Sequence, residues 1–246
     1  MLAVENVSVA FGGVKAVQDV SFSLGEGETL GLVGPNGAGK TTLFNVISGV
    51  AVPSAGRIVF QGEALSREPD WRRARRGIGR TFQIPQPMHE LTVRENLLVA
   101  QRFGAGRSNP ARLDEILDLI GLKAHQHRDA ATSLSLTEQK ALEVGKALAT
   151  EPVLLLLDEV MGGLETATKR AFAAMLAAVR ERYRLAVVVI EHDIETIVNL
   201  CPRAVVLNYG KVIADGPPRA VFDDPEVVRS YTGDAGAALP LIEEVA

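Results

Sequence analysis

The residues Gly34-Pro35-Asn36-Gly37-Ala38-Gly39-Lys40-Thr41 satisfy the spacing G-x-x-x-x-G-K-[ST]. Three glycines let a backbone curl where side chains would block it, and the inward N–H groups of such a curl suit phosphate oxygens. A helix starting near Thr41 would add the positive end of its dipole. Lys40 is then placed to reach the β and γ phosphates, and the Thr41 hydroxyl to coordinate Mg2+. The plain alternative is a glycine-rich turn ahead of a helix. The short apolar run 29–33 before the loop, and Leu43, Val46 and Ile47 at helical spacing after it, supply the strand and helix that the phosphate-binding reading requires. The loop therefore reads as a nucleotide site.

Two later apolar runs end in residues that can do chemistry. Residues 153–157 lead into Asp158-Glu159, and residues 185–190 lead into Glu191-His192. Both runs are short and bounded, as buried parallel strands are. Two adjacent carboxylates at a strand end have different aims, which suits one to a metal and the other to a γ-phosphate. A strand that simply ends in acidic residues at solvent is the alternative. Of the four histidines only His192 has such a placement; His89, His125 and His127 do not.

The elements that must position these groups follow from periodicity. In residues 1–11, Leu2, Val4, Val7, Val9 and Phe11 read as one face of a half-buried strand, and 17–24 and 57–60 continue the β character. Arg72, Arg73, Arg75, Arg76 and Arg80 read as a solvated helix face, with a nucleic-acid or lipid-headgroup patch as the alternative. Helices are expected over 91–101, 113–120, 135–150 and 168–184, with a loop at 103–110 and a closing hairpin about Asn208-Tyr209-Gly210. Strands and helices alternating around a phosphate loop imply an α/β fold with a parallel sheet.

Composition bounds the setting. A chain of 246 residues suits one large domain with subdomains, and a net charge of −4 argues against wrapping nucleic acid. A single cysteine, Cys201, allows no internal disulfide and fits a reducing compartment. No apolar run approaches the ~18 residues of a membrane span, and no signal peptide is recognisable, so the expectation is a cytoplasmic protein.

In order, the phosphate loop, a glutamine after a strand (Gln83), a helical insert, Leu134-Ser135-Leu136-Thr137-Glu138, Asp158-Glu159 and His192 resemble an ATP-binding cassette (ABC) subunit over about residues 2–233. The resemblance implies a P-loop ABC nucleotide-binding domain: a parallel sheet core with antiparallel β subdomain (1–83 and 151–233), a helical subdomain (84–150) and a tail (234–246). It implies an ATPase in which Gly34, Pro35, Asn36, Gly37, Ala38, Gly39, Lys40, Thr41 and Thr42 hold the phosphates of ATP. Thr41, Gln83 and Asp158 would hold Mg2+, Glu159 would be the general base, and His192 would contact the γ-phosphate. Phe11 would stack on adenine, unless it is a core aromatic; without the resemblance Gln83 is a polar loop residue. Ser135 would face the nucleotide of a second cassette. Its segment departs from the family's Leu-Ser-Gly-Gly-Gln, and Ser135 with Glu138 also makes a helix capping box. Val160 and Gly163-Leu164-Glu165 depart from the usual proline and Gly-Leu-Asp turn.

Within the family the chain resembles ATP-binding subunits of branched-chain amino acid importers. The residues carrying this are 11–17 (Phe-Gly-Gly-Val-Lys-Ala-Val), 79–83 (Gly-Arg-Thr-Phe-Gln), 91–100 and 190–193 (Ile-Glu-His-Asp). The implied partners are transmembrane permease subunits, a second identical or related cassette and an external solute-binding protein, with no nucleic acid. The implied place is the inner face of the plasma membrane, held there by the permease. Met88 and Leu91, just past Gln83, are then candidate permease contacts. A regulatory cassette of low turnover, an exporter cassette, and a soluble machine acting on DNA or ribosomes are the alternatives.

Overall fold

The computed structural model describes residues 1–65 and 67–232. Chain contacts divide it into two units, one formed by 1–68 with the segment from 188 onward, the other by 69–187.

The first unit opens with β1 (Leu2–Phe11) and β2 (Val14–Leu24), followed by β3 (Thr29–Val33), α1 (Lys40–Ser48), β4 (Ala55–Phe60) and β5 (Glu63–Ala64). β2, β1, β4 and β5 form an antiparallel four-stranded sheet in that order. The expected single face of β1 needs a correction. Strict alternation would put Val7 and Val9 opposite Leu2 and Val4, yet all four are buried. Asn6, at φ 50, and a register shift between Val4 and Val7 reset the pleat by one residue. Phe11 does not share that face: it is 56% exposed beside the Gly12-Gly13 turn. The core reading of this ring therefore fails.

The second unit contains α2 (Asp70–Arg75), β6 (Ile78–Arg80), α3 (Val93–Gly104), α4 (Pro110–Leu119), α5 (Leu136–Ala149), β7 (Leu154–Asp158) and α6 (Thr166–Tyr183). The unit boundary falls inside β8 (Ala186–Ile190). β6 runs parallel to β7, Ile78 opposite Leu154 through Arg80 opposite Leu156. Three of its helices, α3, α4 and α5, start where side chains satisfy orphan amides of the first turn. Thr92 and Glu95 form a reciprocal capping box on α3, Asn109 accepts from Arg112 N–H at α4, and Ser135 and Glu138 form a second box on α5. Leu113, Ile116 and Leu117 bury the inner stripe of α4. The arginine run is not one solvated face. Arg73 is 1% exposed and the Arg80 side chain only 8%, while Arg72 and Arg75 lie outside against the Trp71 ring.

The chain then re-enters the first unit through α7 (Ile194–Leu200), β9 (Arg203–Asn208), β10 (Lys211–Gly216), α8 (Pro218–Phe222) and α9 (Pro225–Thr232). β9 lies parallel to β3, and β10 pairs antiparallel with β9. Every residue of β3 is buried, as expected of a parallel strand covered on both faces. A parallel α/β portion, an antiparallel β portion and a helical portion are thus all present. The tail expected at 234–246 lies outside the described residues.

Candidate active site

In the first unit the phosphate loop runs from β3 into α1, and close packing explains its end glycines. Gly34 has φ 143, and a Cβ there would lie 2.1 Å from the Leu207 carbonyl oxygen. Gly39 has φ 103, and its Cβ would lie 2.4 Å from the Ala16 oxygen. Neither position admits a side chain. Gly39→Ala is therefore expected to cost about 1–3 kcal/mol in strain and to weaken nucleotide binding. Thermal melting with and without Mg-ATP checks it; an unchanged melting curve would contradict the packing described.

The hairpin turn between β9 and β10 holds the loop from behind. The Gly210 N–H donates to the Ala38 oxygen at 3.0 Å, and Gln18 N–H donates to the Gly210 oxygen at 2.7 Å. The loop closes on itself through Ala38 N–H to the Pro35 oxygen at 3.2 Å. On α9 the Tyr231 ring meets Phe222 edge-on, ring centroids 6.4 Å apart. Burial pushes that phenol up to about 12, against the pull of the Gly34 amide.

Lys40 is the first residue of α1 and is 5% exposed. Its Nζ donates to the oxygens of Gly34 at 2.6 Å and Pro35 at 3.0 Å, which folds the ammonium back over its own loop. No side chain caps α1, and its first turn carries no acid. The helix N-terminus, where Thr41 and Thr42 lie, thus keeps its dipole for an anion. Phe11 is exposed in this unit, and His192 is exposed on the bend between β8 and α7.

In the second unit β7 ends at Asp158, which is 3% exposed. Its carboxylate accepts from Arg80 at 3.1 Å, and both side chains are buried. The Asp158 N–H donates to the Thr81 hydroxyl at 3.1 Å. Glu159 follows in a left-handed conformation, φ 50, which turns the chain sharply at the strand end. Gln83 is brought to it: the amide nitrogen donates to Glu159 Oε2 at 2.5 Å. Lys140 of α5 donates to the oxygens of Glu159 at 3.3 Å and Gly162 at 2.7 Å, fixing that turn.

Ser135 stands at the exposed N-terminus of α5. Its hydroxyl donates to Glu138 Oε2 at 2.7 Å and accepts the Glu138 N–H at 3.4 Å. The Ser135 hydroxyl and amide hold the Glu138 carboxyl below the usual range. The next residue, Leu136, is 51% exposed, an apolar side chain at the open end of the helix.

A Mg2+ site fits what is present. Among the described residues no three His, Cys, Asp or Glu side chains group as a metal centre. Within the second unit Gln83 and Asp158 offer an amide oxygen and one carboxylate, ligand types that suit a Mg2+ held also by phosphate and water. Sequence reasoning missed Arg80 as the partner of Asp158, the brace of Gly210 on the loop, and Lys140. Their partners lie far off in the chain and leave no local pattern.

Comparison with known proteins agrees with these features. The family model "ABC transporter" matches residues 17–162. The chain is 36% identical to the high-affinity branched-chain amino acid transport ATP-binding protein LivG of Salmonella typhimurium, covering 96% of this chain and 98% of that one. It is 33% identical to the lipopolysaccharide export system ATP-binding protein LptB of Haemophilus influenzae, covering 95% and 98%. The solved ADP conformation of MJ1267, an ATP-binding cassette of an ABC transporter, superposes with a TM-score of 0.85 at 30% identity, covering 95% and 99%. The chain thus belongs to the ABC transporter family as one of its ATP-binding cassettes, an ATPase.

Proposed function

We propose that this chain is the ATP-binding and ATP-hydrolysing subunit that energises a membrane importer for branched-chain or related amino acids. The observation that carries the ATP-dependent part is the buried Lys40 ammonium folded over a loop that opens into an uncapped helix N-terminus. The similarity to LivG over nearly the whole chain supports the cargo class.

In this reading residues 34–42 take the phosphates, with Lys40 as their fixed cation, and Phe11 takes the adenine face. Thr41, Gln83 and Asp158 hold Mg2+, which neutralises phosphate charge when bound. Glu159 accepts a proton from the attacking water, Gln83 orients that carboxylate, and His192 contacts the γ-phosphate. Ser135 and the exposed Leu136 face a second cassette. Among the described residues no helix is long and apolar enough to cross a membrane. A permease supplies that function, reached through the helical subdomain (84–150), and holds the cassette at the cytoplasmic face of the plasma membrane. An external solute-binding protein delivers cargo.

Two observations favour a second reading each. The similarity to LptB supports an exporter cassette. The Leu136 and Thr137 substitutions in the signature support a regulatory cassette of low turnover. Calorimetry with Mg-ATP and phosphate release, with and without co-expressed permease, separate them. Lys40→Met should weaken Mg-ATP by about 1.5 kcal/mol, about tenfold, the loss of charged hydrogen bonds to phosphate. No binding heat from the unaltered protein would end the ATPase reading. Binding without turnover in either setting would favour the regulatory one. Vesicle uptake of leucine against efflux of lipid decides cargo and direction.

A further inference from the structure

Helix α5 carries more than Ser135. Lys140, Glu143 and Lys146 recur every three residues along it, and all three side chains reach outside the helix. Glu143 has a side chain only 4% exposed, a position that is costly for a carboxylate unless it is paired. Its Oε1 accepts the Gln86 N–H at 2.8 Å and the Lys146 ammonium at 2.6 Å. Lys146 donates onward to the Gln86 oxygen at 2.7 Å. One ion pair thus holds both main-chain groups of a single residue.

Pro85 and Pro87 have no N–H and have fixed φ, so Gln86 carries the sole main-chain N–H of a stiff triplet. The next amide, that of Met88, is held at 2.8 Å by the buried Asn96 of α3. The segment begins at Gln83, bonded to Glu159, and the Glu159–Gly162 turn is itself held by Lys140. One helix therefore grips the segment after Gln83 and the turn that follows Asp158, with Ser135 at its end.

We propose that Glu143 and Lys146 are positioning residues of the ATPase: their pair locks Gln86 to α5, so that displacement of residues 83–88 is carried to Ser135. The inference rests on the ATPase reading above. A buried pair adds little net stability over apolar packing, so its value lies in the geometry it enforces.

Lys146→Met and Glu143→Gln should lower kcat about tenfold while KM for ATP stays within about twofold, and Lys146→Arg should retain most of the activity. Neither residue touches the phosphate loop, so Mg-ATP binding is the control. Unaltered protein that neither binds nor hydrolyses ATP would end the ATPase reading. Undiminished turnover in Lys146→Met, or a loss that Lys146→Arg shares, would overturn the clamp alone. Amide hydrogen exchange decides the clamp without turnover. Lys146→Met should speed exchange at Gln86 and also at Gln139, whose N–H bonds the Ser135 oxygen. Faster exchange confined to residues 86–88 would overturn the proposal.

Discussion

Glu159→Gln is expected to lower kcat for ATP by about 10²-fold or more, with Mg-ATP affinity changed by no more than a few-fold. The substitution keeps the size of the side chain and its hydrogen bond to Gln83. It removes only the capacity to accept a proton. Glu159 is held from two sides: the Gln83 amide donates to Oε2 at 2.5 Å, and Lys140 donates to its main-chain oxygen. Its left-handed φ of 50 is tolerated because that turn is bonded in place. Binding and turnover should therefore separate. With hydrolysis blocked, Mg-ATP should drive a stable dimer on a sizing column, while the unaltered protein returns to monomer as ATP is consumed. Phosphate release within threefold of the unaltered protein would remove Glu159 from the role of base. A parallel loss of affinity would show that the carboxylate binds nucleotide instead.

Much of this site was legible because its signals are local. The phosphate loop depends on glycines and a lysine at fixed spacing, and β7 announces its end by the change from leucines to Asp158. The capping box at Ser135 and Glu138 was readable for the same reason, since it spans four residues. Other features depend on contacts between distant residues. The bulge at Asn6 was hidden because the apolar residues could be counted onto one face, while the shift that puts Leu2, Val4, Val7 and Val9 together requires a left-handed asparagine. Gly34 is needed because of Leu207, and the loop is braced by Gly210, both far along the chain. α7, α8 and α9 are five to eight residues long, too short for a helical period to emerge. The arginine run misled for a related reason: charge density suggests solvent, but Arg73 is buried and the Arg80 side chain is largely enclosed.

Arg80→Met should destabilise the protein by about 3–5 kcal/mol, the usual effect of leaving one member of a buried ion pair behind. The two side chains are 8% and 4% exposed, so water cannot replace the guanidinium at Asp158. Arg80→Lys should recover only part of the loss, because an ammonium lacks the planar group that also lies over the Phe82 ring at 5.3 Å. The companion change Asp158→Asn should be cheaper in the Arg80→Met background than alone, since the charge requiring a partner is then gone. Urea unfolding of the two single variants and the double variant measures this coupling directly, provided the slope stays constant. A loss below about 1 kcal/mol for Arg80→Met, or simple additivity in the double variant, would mean the pair is not what holds Asp158. The result bears on catalysis as well as folding. Asp158 is proposed to hold Mg2+, and a carboxylate released from Arg80 can turn away from the strand end. Arg80→Met should therefore need more Mg2+ for half-maximal turnover even at temperatures where it remains folded.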